Sequence, residues 1–264
     1  MTPADFLTRW HASGGAERAN YGLFLHDLTT LLGVAPPDTV TDDPAADAYV
    51  LEKPVQFDDG AGRKSIGRID LYKRGCFVLE TKQGTSTPDE QQAADRADAA
   101  ALGHGPTATA RRRKGHALRG TPKWEHMMTQ AYNQALGYVR ALPATEPHPP
   151  FVVVIDVGFC LDLYANFSGV PDAYVPFPDP RRARLRLDQL TDDPTRELLR
   201  RLWTDPAALD PSRAAARVTR ELAQRLAVLS AQLEAAGHGS DVVAQFLMRC
   251  LFTMGGIRSL VHHG

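Results

Sequence analysis

The stretch IGRIDLYKRGCFVLETKQG, residues 66–84, carries both the fold and the chemistry. It reads as two strands, 65–72 and 76–82, joined at Lys73-Arg74-Gly75. A three-residue hairpin loop with glycine in the left-handed position is a common solution. That loop sets Tyr72 opposite Cys76 and Asp70 opposite Val78. Strand side chains alternate faces, so Glu80 and Lys82 share a face and Thr81 points away. Asp70 then becomes the diagonal neighbour of Glu80 on that face, roughly 7–8 Å off. Ile69, Leu71, Phe77 and Leu79 form an apolar surface on the reverse, suited to packing on a helix. A two-residue loop would send Asp70 to the opposite face, so the shared face depends on the turn.

Two carboxylates and an ammonium group in one place suit phosphodiester hydrolysis. The paired acids repel, and a hard divalent cation relieves the repulsion. Mg2+ takes a few carboxylate oxygens together with waters and phosphate. Such an ion lowers the pKa of bound water and neutralises charge on a phosphate. Asp70 and Glu80 are the expected ligands, with the Thr81 carbonyl adding one more. Lys82 is placed to position or deprotonate the attacking water, or to stabilise developing charge. The plain alternative is a solvated sheet face, since an ExK triplet arises by chance roughly once in a chain this size.

Outward from this hairpin, 49–57 (YVLEKPVQF) reads as a strand that Pro54 confines to an edge or a bulge, and 58–64 as a polar turn. Upstream, 3–13 and 16–32 read as helices, the second from Ala16, Leu23, Phe24, Leu28, Leu31 and Leu32 at helical spacing. Gly33 and Pro36-Pro37 stop it. Downstream, 83–123 is a basic, turn-rich insertion. A helix follows at about 124–142, then strands at 151–156 and 159–165. Beyond Pro176 the pattern turns helical, at 193–203, 211–236 and 239–254, with Leu222, Leu226, Leu229 and Leu233 striping the middle one. The order implies an α/β core over 1–176, followed by a small all-α segment over 177–264.

Several further residues have two readings each. Glu17 is either a further acid for the metal or a first-turn acid favoured by the helix dipole. Gln130 and Gln134, one turn apart with Tyr138 a turn further, either face the site and the DNA backbone or form a polar helix face. Arg111, Arg112, Arg113 and Lys114, with Arg119 and Lys123, either grip phosphates or decorate a basic loop without a partner. Trp124 and Trp203 read as core. The run GAGRKS at 60–65 lacks P-loop spacing.

Composition limits the alternatives. The chain has 264 residues, 43% hydrophobic and 23% charged, with net charge -1, so affinity for nucleic acid must come from a local patch. Cys76, Cys160 and Cys250 are far apart, suggesting neither a disulfide framework nor a zinc site and fitting a reducing cytoplasm. No signal peptide or membrane span is expected.

Three runs in this order, SGGAERANYGLFLHDLTTLLGV (13–34), IGRIDLYKRGCFVLETKQG (66–84) and QAYNQALGYVRALP (130–143), resemble the N-terminal part of MmeI-like type IIL restriction–modification enzymes. FLMRCLFTM (246–254) resembles the helical spacer that follows the nuclease there. The resemblance implies a PD-(D/E)xK restriction-endonuclease-like core, a central mixed sheet flanked by helices, whose acids and lysine match Asp70, Glu80 and Lys82. It implies a Mg2+-dependent DNA endonuclease acting in defence against foreign DNA. In the family the spacer leads into an adenine-specific, S-adenosylmethionine-dependent methyltransferase and a target-recognition domain. Here GGIRSLVHHG stands where the family continues with Met-Phe-Ala-Glu-Asp, and neither an NPPY-type tetrapeptide nor an S-adenosylmethionine-binding glycine motif is found. The expectation is a truncated nuclease-and-spacer chain. Its alternative is a non-catalytic DNA-binding fragment needing a separate methyltransferase and specificity subunit.

Overall fold

The apolar runs assemble into one mixed seven-stranded sheet covered by helices on both faces. The computed structural model describes the backbone of residues 1–11, 13, 17–58, 64–87, 90 and 117–261, and the side chains of these except 17–19 and 251–261. In chain order these are α1 (Pro3–His11), α2 (Glu17–Leu32), β1 (Tyr49–Asp58), β2 (Lys64–Lys73), β3 (Phe77–Lys82), α3 (Pro122–Ala141), β4 (Phe151–Asp156), β5 (Cys160–Ala165), β6 (Val175–Pro176), β7 (Arg184–Arg186), α4 (Asp193–Thr204), α5 (Pro211–Ala235) and α6 (Ser240–Val261). The sheet order is β1-β2-β3-β4-β5-β6, with β7 also on β5. Among the described strands, β3 and β4 are the one parallel pair. The 59–63 stretch of the expected polar turn lies outside the described residues.

β1 is an edge strand, which is where Pro54 can be tolerated; among the described strands it pairs with β2, and its Val50 also bridges to Asp38. The β2–β3 hairpin departs from the expected register. Lys73 pairs with Phe77, Tyr72 with Val78 and Leu71 with Leu79. The loop is therefore Arg74–Cys76, one residue later than the sequence suggested. The cause is the turn itself. Cys76 N–H donates to the Lys73 carbonyl at 3.0 Å, and Gly75 takes φ +69° at the third turn position, where positive φ favours glycine. The slide moves each partner by two positions and leaves Tyr72 and Val78 together on one side; alternation along β3 puts Glu80 and Lys82 on that side too, while Asp70, beyond the last β2–β3 pair, bonds Thr81.

The other side holds Leu71, Phe77 and Leu79 against Phe6 and Trp10 of α1, Phe24, Leu25 and Leu28 of α2, and Leu199, Leu202 and Trp203 of α4. Ile69 does not join them. It packs with Val55, Tyr72 and Val78 beneath Ala135, Tyr138 and Val139 of α3. Trp124 and Trp203 are both core residues. With α3 covering the second face, the strand carrying Glu80 is not a solvated surface. β4 is buried along its whole length, as a central strand covered on both faces must be.

Two compact units emerge, Met1–Leu209 and Asp210–Gly264. The sequence changes character near 176–190, yet β6, β7 and α4 belong with the sheet, because β6 and β7 hydrogen-bond to β5 and Trp203 enters the core. The second unit is α5 and α6, joined at Gly237 with φ +94°. Asp210 caps α5 by accepting from Ser212 N–H. No α5 residue is buried, and Leu229 is 38% exposed, so the leucine stripe is covered only in part. Among the described residues no helix is long and apolar enough to cross a membrane.

Phe77 has no exposed surface and its ring centroid lies 4.6 Å from that of Trp203. Phe77→Ala is expected to lower unfolding free energy by about 3–5 kcal/mol, measured by urea denaturation with tryptophan fluorescence.

Candidate active site

Glu80, Lys82 and Asp70 meet where the β2–β3 ladder ends. Pairing stops at Leu71 and Leu79. Beyond it the Asp70 carboxylate takes over as acceptor: its Oδ2 receives Thr81 N–H at 2.7 Å and the Thr81 hydroxyl at 2.6 Å. Glu80 is 2% exposed and its Oε1 receives Lys82 Nζ at 2.5 Å. The same ammonium donates to the Thr81 carbonyl at 2.9 Å. A carboxylate this buried must be matched by charge or donors, and Lys82, two residues on and on the same face, supplies both. Burial pushes the Asp70 carboxyl upward, against the two Thr81 bonds and the field of Lys82, with Glu52 pushing it further up.

Glu52 is a site acid that sequence reasoning missed. It falls opposite Asp70 in the β1–β2 register, between the Leu51–Leu71 and Lys53–Ile69 pairs. Its backbone has φ +53°, unusual for a residue with a side chain. The Tyr21 hydroxyl of α2 donates to its Oε1. The available signal was an acid in the apolar half of the strand YVLEKPVQF. Glu17 opens α2 one turn before Tyr21, and its side chain lies outside the described residues.

On the α3 side Tyr138 feels the charges of Glu80, Asp70 and Lys82. Burial first, and then the two carboxylates, push its hydroxyl upward, so it remains a donor. Gln134 Nε2 donates to Tyr138 Oη at 2.8 Å. The Tyr138 ring fits because β2 carries glycine at 67. A Cβ there would come within 2.7 Å of Tyr138 Cε1 and 2.6 Å of Phe57 Cε2. Gln130 instead lies 2.8 Å from His126 Nε2 on the same helix.

The basic group divides. Arg111, Arg112, Arg113 and Lys114 lie outside the described residues. Lys123 is exposed at the start of α3. Arg119 is turned inward on Asp156, a second residue the sequence reading overlooked, although an acid ending the all-apolar run FVVVID was visible.

Chemically, Asp70, Glu80 and the Thr81 carbonyl present hard oxygen donors beside an ammonium. Among the described residues no set of three His, Cys, Asp or Glu side chains forms a metal-binding group. Two carboxylates and a carbonyl are hard oxygen donors of the kind that Mg2+ takes together with waters and substrate oxygens.

Comparison with known proteins places this geometry in context. The family model described as MmeI, N-terminal domain, matches residues 1–236. No curated protein and no solved structure gave a match. The matched span covers both the β2–β3 hairpin and α3, and associates the chain with MmeI-like restriction–modification enzymes. The chain belongs to the MmeI N-terminal domain family.

Proposed function

We propose that this chain is the nuclease module of a restriction–modification enzyme, a PD-(D/E)xK core that hydrolyses DNA phosphodiesters with Mg2+. The observation that carries the reading is the cluster at the end of the β2–β3 ladder. There Lys82 pairs with Glu80, and Thr81 between them bonds Asp70 of the neighbouring strand. Family membership over residues 1–236 supports it.

Asp70, Glu80 and the Thr81 carbonyl would hold the metal, with Glu17 as the further acid that the sequence suggests. The ion, when bound, supplies Lewis-acid stabilisation of phosphate charge and a more acidic water. The protein's own groups do the rest. Thr81 fixes one Asp70 oxygen through two hydrogen bonds, leaving the other carboxylate oxygen to face a ligand. Lys82 sits on Glu80 Oε1 and can orient a water at the scissile phosphate. The Tyr138 hydroxyl, oriented by Gln134, adds a donor on the α3 side. DNA is the substrate. Arg111–Lys114, Gln130 and Gln134 are the proposed DNA contacts, and a methyltransferase with its recognition domain is the proposed companion. We propose that the nuclease domain expected over 1–176 extends with its sheet to Leu209, and that the helical spacer expected over 177–264 corresponds to the unit that begins at Asp210.

Supercoiled plasmid incubated with the chain and Mg2+ is expected to be nicked or linearised, with chelation abolishing the reaction. Asp70→Ala, Glu80→Ala and Lys82→Ala should each slow cutting by about a hundredfold or more. Undiminished cutting by all three variants would remove the assignment.

Reversing charge at Arg111–Lys114 should weaken duplex binding whatever the sequence. It should also flatten the dependence of affinity on salt by close to one unit of slope for each phosphate that is no longer neutralised. Fluorescence anisotropy across a salt series measures this, and an affinity indifferent to both salt and substitution would dismiss the segment as a DNA grip.

A further inference from the structure

Asp156 ends β4 with no exposed surface, and in the parallel ladder it stands beside Lys82. A carboxylate sealed from water needs donors, and four converge on it. Arg119 Nη2 donates to Oδ1 at 2.9 Å and Arg119 Nε to Oδ2 at 3.0 Å. Trp124 Nε1 donates to Oδ2 at 2.7 Å, and Gly84 N–H to Oδ1 at 2.9 Å. Gly84 lies two residues beyond Lys82.

The same cluster grips the main chain elsewhere. Val157 N–H donates to the Lys82 carbonyl at 2.8 Å, and Arg119 Nη2 holds the Val157 carbonyl at 2.8 Å. Thr85 N–H reaches the Ala117 carbonyl at 3.0 Å, and Arg119 N–H returns to the Thr85 carbonyl at 2.9 Å. The Arg119 guanidinium lies 4.7 Å from the Phe159 ring centroid. There is no slack at Gly84: an added Cβ would sit 2.9 Å from Asp156 Oδ2 and 3.0 Å from both Arg119 Cγ and Trp124 Cδ1.

We propose that the Asp156–Arg119 pair is a positioning device for Lys82, pinning the backbone just past it so that its ammonium stays on Glu80 and the Thr81 carbonyl. The proposal rests on the nuclease reading above. Lysine carries its charge on a flexible four-carbon stem, and Lys82 is the last residue of its strand, where a ladder frays. The stem alone does not hold the ammonium in place; the anchored backbone does. Misplacement by about 1 Å at a reacting centre costs on the order of a hundredfold in rate. Asp156 and Arg119 act through residues 82–84 and do not touch the reacting atoms.

Two variants of the full chain test this. Gly84→Ala pushes a methyl group into the cluster while every charge stays. Arg119→Lys keeps the charge but gives up the two-pronged grip on Asp156. Thermal unfolding, duplex affinity and the single-turnover rate on saturating DNA with Mg2+ are measured for each, with hydrogen exchange over residues 82–86. Both variants are expected to fold, to bind duplex within about twofold of the unaltered chain, and to cut bound DNA roughly tenfold or more slowly. Exchange at Gly84 N–H should rise in Arg119→Lys. An unchanged rate in a folded variant overturns the proposal, as does a slower rate matched by weaker affinity or a smaller folded fraction. Unchanged exchange at Gly84 overturns it as well. If the unaltered chain cuts no DNA, it is the nuclease reading that fails, and the exchange result still decides whether this pair anchors the end of β3.

Discussion

Glu80 is a carboxylate on a strand buried on both faces, and the surroundings of β3 are arranged around that constraint. A charge removed from water destabilises the fold by several kcal/mol unless a partner compensates it. Lys82 is that partner, on the same face and 2.5 Å away. Asp70 meets the same requirement by a different route, through the Thr81 N–H and hydroxyl. Its bond to the Thr81 N–H stands where the antiparallel ladder has come to an end. Polar groups that would disrupt the middle of a sheet are thus confined to the point where two strands part.

The division of labour between the two sheet faces follows. One face is a continuous apolar core under α1, α2 and α4, where Leu71, Phe77 and Leu79 pack. The other begins apolar under α3, with Val78 and Val152, and turns polar toward the ends of β3 and β4. Residues 77–79 therefore hold the strand in place, while residues 80–82 carry the proposed chemistry. In that reading, stability and reactivity share one short strand without sharing side chains.

The polar end extends sideways as well. Lys82 and Asp156 are ladder neighbours, and Asp156 collects Arg119, Trp124 and Gly84 into a buried, fully hydrogen-bonded group. Networks of this kind define a single arrangement when every member is satisfied. At the opposite flank Glu52, held by Tyr21, completes the charged surroundings of Asp70. The candidate site draws on α2, β1, β2, β3, β4 and α3, although its three central residues lie within thirteen positions of one another.

By itself, the sequence determined that strands β1 to β5 exist, that Pro54 confines β1 to an edge or a bulge, and that Glu80 and Lys82 share a face. Alternation with period two and the glycine of the turn are local facts, and a slip of two positions leaves faces unchanged. Resemblance of the runs 13–34, 66–84 and 130–143 also indicated the family. Tertiary structure decided the rest: the true partner of Tyr72, the short strands β6 and β7, the removal of Ile69 to the α3 side, the arrival of Glu52, and the turning of Arg119 from the basic run onto Asp156. Those outcomes depend on which distant groups meet when water is excluded. A buried charge takes its partner from across the fold, and no spacing along the chain encodes that choice.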